Sequence, residues 1–167
     1  MQKGNKKVRN ATTCKGGNLT FKSQLEKSIY NTLQQLGFEV QYEPVTHMLW
    51  GSFMPITPFY DRESDTQHSK RVKSGDKNKG RLLVQKTGKI IGIRYTPDFY
   101  FRYKGLDVYI EAKGIENDVF YIKKKMFRKY LDDKYFQTNQ PSIFFEIYTK
   151  AQLLQAVEIL KEYAESL

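Results

Sequence analysis

The chain has 167 residues and carries 28 Lys+Arg against 18 Asp+Glu, a formal net charge of +10. Its hydrophobic residues make up 40% and its aromatics 14%, enough to bury a core and to exclude wholesale disorder. One cysteine, Cys14, excludes an intrachain disulfide and a cysteine zinc site, and His47 and His68 alone exclude a histidine-rich metal site. The length suits one domain with room for an excursion. No apolar run reaches the roughly 18 residues of a membrane helix, and residues 1–18 hold no apolar stretch that would serve as a signal peptide. The expectation is a cytoplasmic protein with no membrane contact, whose charge excess faces a polyanion, nucleic acid first.

Residues 1–18 carry Lys3, Lys6, Lys7, Arg9 and Lys15 and no acid, which predicts a flexible basic arm. From Phe21 the spacing of Phe21, Leu25, Ile29, Leu33 and Leu36 predicts a helix that Gly37 stops. Residues 38–42 alternate like a strand, closed by Pro44. An insertion over 45–94 follows. Within it, 61–81 has Val72 as its one clearly apolar residue and reads as a mobile loop, while Thr87-Gly88 between two apolar runs predicts a hairpin. Strands are predicted over 98–103 and 106–112 about a Lys104-Gly105 turn, so the two pair antiparallel. A helix over 119–131, with Val119, Ile122, Met126 and Tyr130 inward, precedes an apolar strand over 142–148 that reads as central. A last helix spans 150–166. The order α-β-(insertion)-β-β-α-β-α predicts a mixed α/β domain over 19–167.

The chemistry lies in Tyr95-Thr96-Pro97-Asp98-Phe99 and, after the hairpin, Tyr109-Ile110-Glu111-Ala112-Lys113-Gly114. Residues two apart in a strand share a face, so Glu111 and Lys113 project together, and Val108, Ile110 and Ala112 point the other way. Pro97 suits a strand start, where no ladder donor is needed. Counting outward from the turn brings Asp98 opposite 111–113. Asp98, Glu111 and a backbone carbonyl, that of Ala112, form the oxygen set that Mg²⁺ accepts, with water completing the octahedron. A metal there lowers the pKa of a bound water, and Lys113 serves the nucleophile and offsets phosphate charge. The same residues are also compatible with a plain salt bridge from Asp98 or Glu111 to Lys113.

Pro97-Asp98 followed by Glu111-Ala112-Lys113 resembles the signature of the PD-(D/E)xK nuclease superfamily. The pattern is closest to phage and prophage nucleases related to Holliday junction resolvases. Those carry a Tyr-Thr-Pro-Asp-Phe strand, a Glu-x-Lys-Gly strand and a lysine-rich helix of the kind seen in Val119-Phe120-Tyr121-Ile122-Lys123-Lys124-Lys125-Met126-Phe127. The resemblance covers 20–44 and 95–148. It implies a restriction-endonuclease-like core, α-β-β-β-α-β-α, and a Mg²⁺-dependent DNA endonuclease, with Mn²⁺ able to substitute. Duplex or branched DNA is the implied substrate, and a homodimer follows where two strands are cut symmetrically.

The resemblance also implies a further acid on the first helix, where Glu26 stands; the competing reading makes Ser23-x-x-Glu26 a capping box. Glu43 is a weaker candidate. Lys123, Lys124, Lys125, Arg128 and Lys129 form a basic helix face that beside a metal would hold phosphates, Lys123 matching the family's helix lysine; Lys70, Arg71 and Lys73 would do so from the loop. Trp50, Phe53, Phe59 and Tyr60 could stack on unpaired bases, though packing of the insertion against the core is the expected role. His47 and His68 are expected to be non-catalytic. Transposon-end or restriction-type cleavage are alternatives within the superfamily. The alternative outside it is a non-cleaving basic protein that binds DNA or RNA.

Overall fold

The computed structural model describes residues 12–114 and 118–167; Lys3, Lys6, Lys7 and Arg9 of the expected arm lie outside them. In chain order the elements are β1 (Cys14–Gly16), β2 (Leu19–Phe21), α1 (Gln24–Gln35), β3 (Gln41–Tyr42), β4 (His47–Trp50), β5 (Tyr60–Arg62), α2 (Asp65–Lys73), β6 (Leu83–Gln85), β7 (Ile93–Tyr95), β8 (Phe99–Tyr103), β9 (Leu106–Ala112), α3 (Asp118–Thr138), β10 (Ser142–Ile147) and α4 (Lys150–Glu165). They divide into two compact units, one of residues 50–92 and one of the other described residues. Among the described residues no helix is long and apolar enough to cross a membrane.

The larger unit is built on a mixed four-stranded sheet in the order β10-β9-β8-β3. β10 runs parallel to β9, and β8 is antiparallel to both β9 and β3. Alternation along the strands gives each face its own core. Phe99, Phe101, Val108, Ile110 and Ile147 pack with Ile29 and Leu33 of α1 and Leu153, Val157 and Leu160 of α4. On the opposite face Tyr109, with Tyr95, meets Phe120, Phe127 and Leu131 of α3. The class is therefore mixed α/β, with helices on both faces of the sheet. Since β9 is covered on both sides, all but its last residue are buried.

Four local expectations change. Residues 14–16 of the expected arm pair instead with Leu19 to Phe21 as a hairpin; Phe21 ends a strand, and Ser23 caps α1 through a bond from Glu26 N–H. The hairpin expected at Thr87-Gly88 does not form. β6 pairs with β5, and β7 with β4. The flanking runs Leu82-Leu83-Val84 and Ile90-Ile91 lack the alternation that fixes a register. The buried stripe of α3 is Phe120, Phe127 and Leu131, while Val119 and Ile122 are exposed. Lys124 sits within that stripe by spacing, and its Nζ is satisfied by Glu146 Oε2 at 2.9 Å, so a charge conceals the apolar face. Finally, β10 lies at an edge, and the strands inside the sheet are β9 and β8.

In the unit of residues 50–92 the expected loop contains α2, started by a complete capping box of Ser64 and Gln67. Its organiser is polar. Buried Glu63 accepts from Arg71 Nη2 at 2.6 Å, Arg71 Nε at 3.1 Å and Leu82 N–H at 3.1 Å, and pairs with His68 Nδ1 at 2.9 Å. Arg71 also holds Asp76 and the carbonyls of Asn78 and Gly80. A search for apolar residues misses a segment folded this way. Trp50, Phe53, Phe59 and Tyr60 are exposed in this unit, Trp50 and Phe53 meeting edge to face at 5.3 Å.

The Arg71 hydrogen bonds hold the Glu63 carboxyl down to about 2. A depressed carboxylate stabilises the fold above its ordinary range, and that contribution is lost as pH falls through the folded-state value. Arg71→Met keeps the side-chain stem and removes the fork. We predict that amides of 64–74 then exchange with deuterium far faster, while those of β8 and β9 keep their protection. Unchanged protection in α2 would show that the Glu63–Arg71 pair does not hold it.

Candidate active site

One cavity of about 490 Å³ is lined by Lys22, Glu26, Glu43, Thr46, Thr96, Asp98, Glu111, Ala112 and Lys113. All belong to the larger unit. The β8–β9 register places the central group. Phe99 faces Ile110, so Asp98, one residue earlier, reaches the end of β9, where its Oδ2 accepts the Ala112 N–H at 2.8 Å. Pro97 leaves no donor of its own to compete there. Glu111 and Lys113 share a face as strand period requires, and Lys113 Nζ lies 2.5 Å from Glu111 Oε1. The ammonium also sits 3.9 Å from the centre of the Phe120 ring, so α3 helps fix its direction.

Glu26 stands at the helix start and at the cavity together. Its amide donates to Ser23 Oγ at 3.2 Å, as at a helix start, and its carboxylate lines the cavity. The box is not closed on Ser23. Glu26 Oε2 accepts from Lys22 N–H at 3.0 Å and from the Tyr42 hydroxyl at 2.6 Å, and Oε1 from Ser23 Oγ at 2.8 Å. Tyr95 does for Glu111 what Tyr42 does for Glu26, donating to Oε2 at 2.6 Å. Tyr42, Tyr95 and Lys22 were not expected in the site. Tyr95 opens the Tyr-Thr-Pro-Asp-Phe run but carries no expected role there, and Lys22 has only its place beside the cap as a signal. Glu43, the weaker candidate, lines the same cavity. It pairs with Lys22 and takes a left-handed φ of +45°, a strained choice for a side-chain-bearing residue, while its N–H donates to the Asp98 carbonyl at 2.8 Å.

Three carboxyl groups are thus nearly dry, with Glu26 7%, Asp98 9% and Glu111 4% exposed. Burial and the neighbouring Glu111 push Asp98 up to about 8, Glu26 adding to the rise while the Ala112 N–H and Lys113 oppose it. Burial and the Glu111 charge likewise raise the Tyr95 phenol, which stays protonated and donating.

The remaining candidates fall elsewhere. Lys123, Lys124, Lys125, Arg128 and Lys129 lie on α3, Lys124 bound to Glu146 and Lys125 set over the Tyr121 ring at 4.3 Å. Lys70, Arg71 and Lys73 belong to α2 in the other unit, with Arg71 engaged by Glu63. His47 is packed among Tyr109, Phe127 and Tyr130. Burial, then Lys134, lowers its pKa, which keeps it neutral and structural. His68 supports Glu63. Among the described residues no three His, Cys, Asp or Glu side chains form a ready-made metal cage. Compared with protein-family models, curated proteins and solved structures, the chain matches none.

Two outcomes are expected. A glutamine at 26 keeps one accepting oxygen but turns an N–H₂ toward groups that donate, so Glu26→Gln should lower stability by about 1–2 kcal/mol, measured by urea unfolding. A silent change would mean that the Tyr42 and Lys22 bonds do not form. The second concerns pH. An acid whose folded-state pKa is raised binds its proton more tightly when folded, so metal-free protein should lose stability between about pH 4 and pH 8. Asp98→Asn should flatten that slope in thermal melts, and an unaltered slope would assign it to other groups.

Proposed function

We propose that this protein is a divalent-metal-dependent nuclease of PD-(D/E)xK type that hydrolyses phosphodiester bonds in DNA, with a restriction-endonuclease-like core. The observation that carries the reading is the meeting of Asp98, Glu111 and Lys113 at one open cavity, one acid just before β8, the other on the neighbouring β9 and the lysine beside them. Clustered dry acids repel phosphate as well as one another, so binding a polyanion gives no reason for them.

The donor set fits Mg²⁺, which takes one or two protein carboxylates, keeps several waters and does not need a complete protein cage. Asp98, Glu111 and the Ala112 carbonyl would hold the ion, with Glu26 adding charge behind them and Mn²⁺ able to replace it. When bound, the ion supplies a more acidic water and offsets charge on the phosphoryl oxygens. Tyr95 fixes Glu111 through one oxygen, and Ala112 N–H fixes Asp98 through one of its own. Lys113 brings a fixed positive charge to the side of the cavity where a scissile phosphate and an attacking water would meet, to orient the water and offset developing charge. Lys123, Lys125 and Arg128 on α3 are candidates for backbone phosphates, and branched DNA of phage processing, in a bacterial or phage-infected cytoplasm, is the proposed setting. Restriction- or transposase-type cleavage uses the same residues.

A second reading has an observation of its own. The 2.5 Å Lys113–Glu111 pair is also what a non-cleaving nucleic-acid-binding protein would contain. Cleavage assays on linear, flapped and four-way DNA with Mg²⁺ or Mn²⁺ separate the two. Asp98→Asn should abolish cleavage and Lys113→Ala should slow it by about 10²–10⁴-fold, both leaving DNA binding largely intact. Absence of cleavage on every substrate, or both variants cutting at the parental rate, removes the nuclease reading.

A further inference from the structure

β10 has the sequence of an interior strand and the position of an edge strand. It reads Ser-Ile-Phe-Phe-Glu-Ile and lies at the end of the sheet. Edge strands are ordinarily blunted by a bulge, a proline within the strand or outward charge. Here Pro141 only precedes the strand, and the one charged residue, Glu146, is tied to Lys124. Two adjoining cavities of about 560 and 430 Å³ run along this edge. Their shared lining includes Leu131 and Asp132 of α3, Ser142 of β10 and Tyr163 of α4, so the open edge forms the floor of a groove between two helices. Phe136 and Leu167 stand exposed at one end.

The ladder to β9 fixes which backbone groups remain open. Lys113 N–H donates to the Ile147 carbonyl and Asp107 N–H to that of Pro141. Odd-numbered residues therefore turn their amides and carbonyls inward, and Ser142, Phe144 and Glu146 turn theirs to the open side. These three are symmetric about Phe144. The same three side chains share the α3 face, since Phe144 belongs to the α3 core and Glu146 bonds Lys124. One of them is incomplete. Ser142 Oγ is the one buried side-chain polar atom, among the described residues, without a hydrogen-bond partner, a state that folded proteins rarely leave uncorrected.

We propose that the chain forms a two-fold dimer in which β10 pairs antiparallel with β10 of a second copy, centred on Phe144. In that register Phe144 faces Phe144, and Ser142 of each copy faces Glu146 of the other. Each facing pair exchanges two backbone hydrogen bonds, and the sheet becomes continuous across the axis. The Ser142 hydroxyl then meets a carboxylate on the same face of the sheet, which gives the unpartnered atom an acceptor. A pairing shifted by one residue would turn the bonding groups away from each other, and one shifted by two would keep the backbone bonds but move Ser142 off Glu146, so backbone and side chains together select this alignment. An unrelated extended peptide could bond the same backbone, but it would have to supply an acid in step with Ser142. A second copy carries that acid at the required position.

The test uses the full chain. Light scattering on gel filtration across the micromolar range should give twice the 19.7 kDa chain mass. Ser142→Pro removes one outward N–H and the hydroxyl at the first strand position, where proline is tolerated; it should weaken dimerisation at least about tenfold with an unchanged circular dichroism spectrum. Facing residues of a hydrogen-bonded antiparallel pair lie about 5.5 Å apart at Cα, within disulfide range. Phe144→Cys in a Cys14→Ser background should therefore oxidise to a covalent dimer. A monomer at all concentrations overturns the proposal, as does a dimer that Ser142→Pro leaves intact and Phe144→Cys does not trap. Should Ser142→Pro fail to fold, the cysteine variant decides alone.

Discussion

The arrangement of the larger unit turns on one hydrogen bond, from Ala112 N–H to Asp98 Oδ2 at 2.8 Å. It joins two strands beyond their last ladder pair and holds a carboxyl group where water is scarce and two other acids are near. Without a fixed donor such a group would swing outward to be solvated. With one, it stays beside Glu111, whose own position is set by Tyr95 and Lys113. The acids are crowded because each is held from behind by a group that cannot leave: a backbone amide, a phenol, a helix start. What the cavity presents is thus a charge deficit, built into the fold ahead of any ligand.

Much of this was legible in the sequence because it follows from strand period and a short turn. The pairing of 99–103 with 106–110, the shared face of Glu111 and Lys113 and the approach of Asp98 all descend from counting residues about Lys104-Gly105. Glu26 is suggested by resemblance rather than by counting, and the bond that holds its carboxylate at the cavity is visible only with Tyr42 in place. The role of the supporting tyrosines was not legible, even for Tyr95 inside the quoted motif, since a hydroxyl's partner sixteen residues away leaves no mark in local pattern. Lys124 misled for a different reason. A cation within an apolar stripe reads as its boundary, whereas here a carboxylate on the neighbouring strand allows it to stay inside.

The same lesson applies with the sign reversed in residues 61–81, where a sparse apolar content reads as a mobile loop. Glu63 and Arg71 supply there a network of charge-assisted bonds, which are directional and roughly twice as strong as neutral ones. Apolar periodicity measures one kind of core only. For β10 the apolar content misled in the other direction, since helices on both faces demand a hydrophobic strand whether or not a neighbour lies beyond it.

The hairpin that carries Asp98 and Glu111 is closed by Lys104 and Gly105, both with positive φ, +46° and +84°. That is the two-residue turn whose twist matches paired strands, and a lysine accepts the left-handed conformation to complete it. Five residue pairs separate this turn from the cavity. Strand pairing has a phase, and phase is set where counting begins. One residue gained or lost at the turn would leave β8 and β9 fully bonded yet rotate Asp98 to the α1 and α4 side, putting a charge in the apolar core and phenylalanines in the cavity. The alignment of the acids is therefore encoded at the far end of the hairpin, by residues that never approach them.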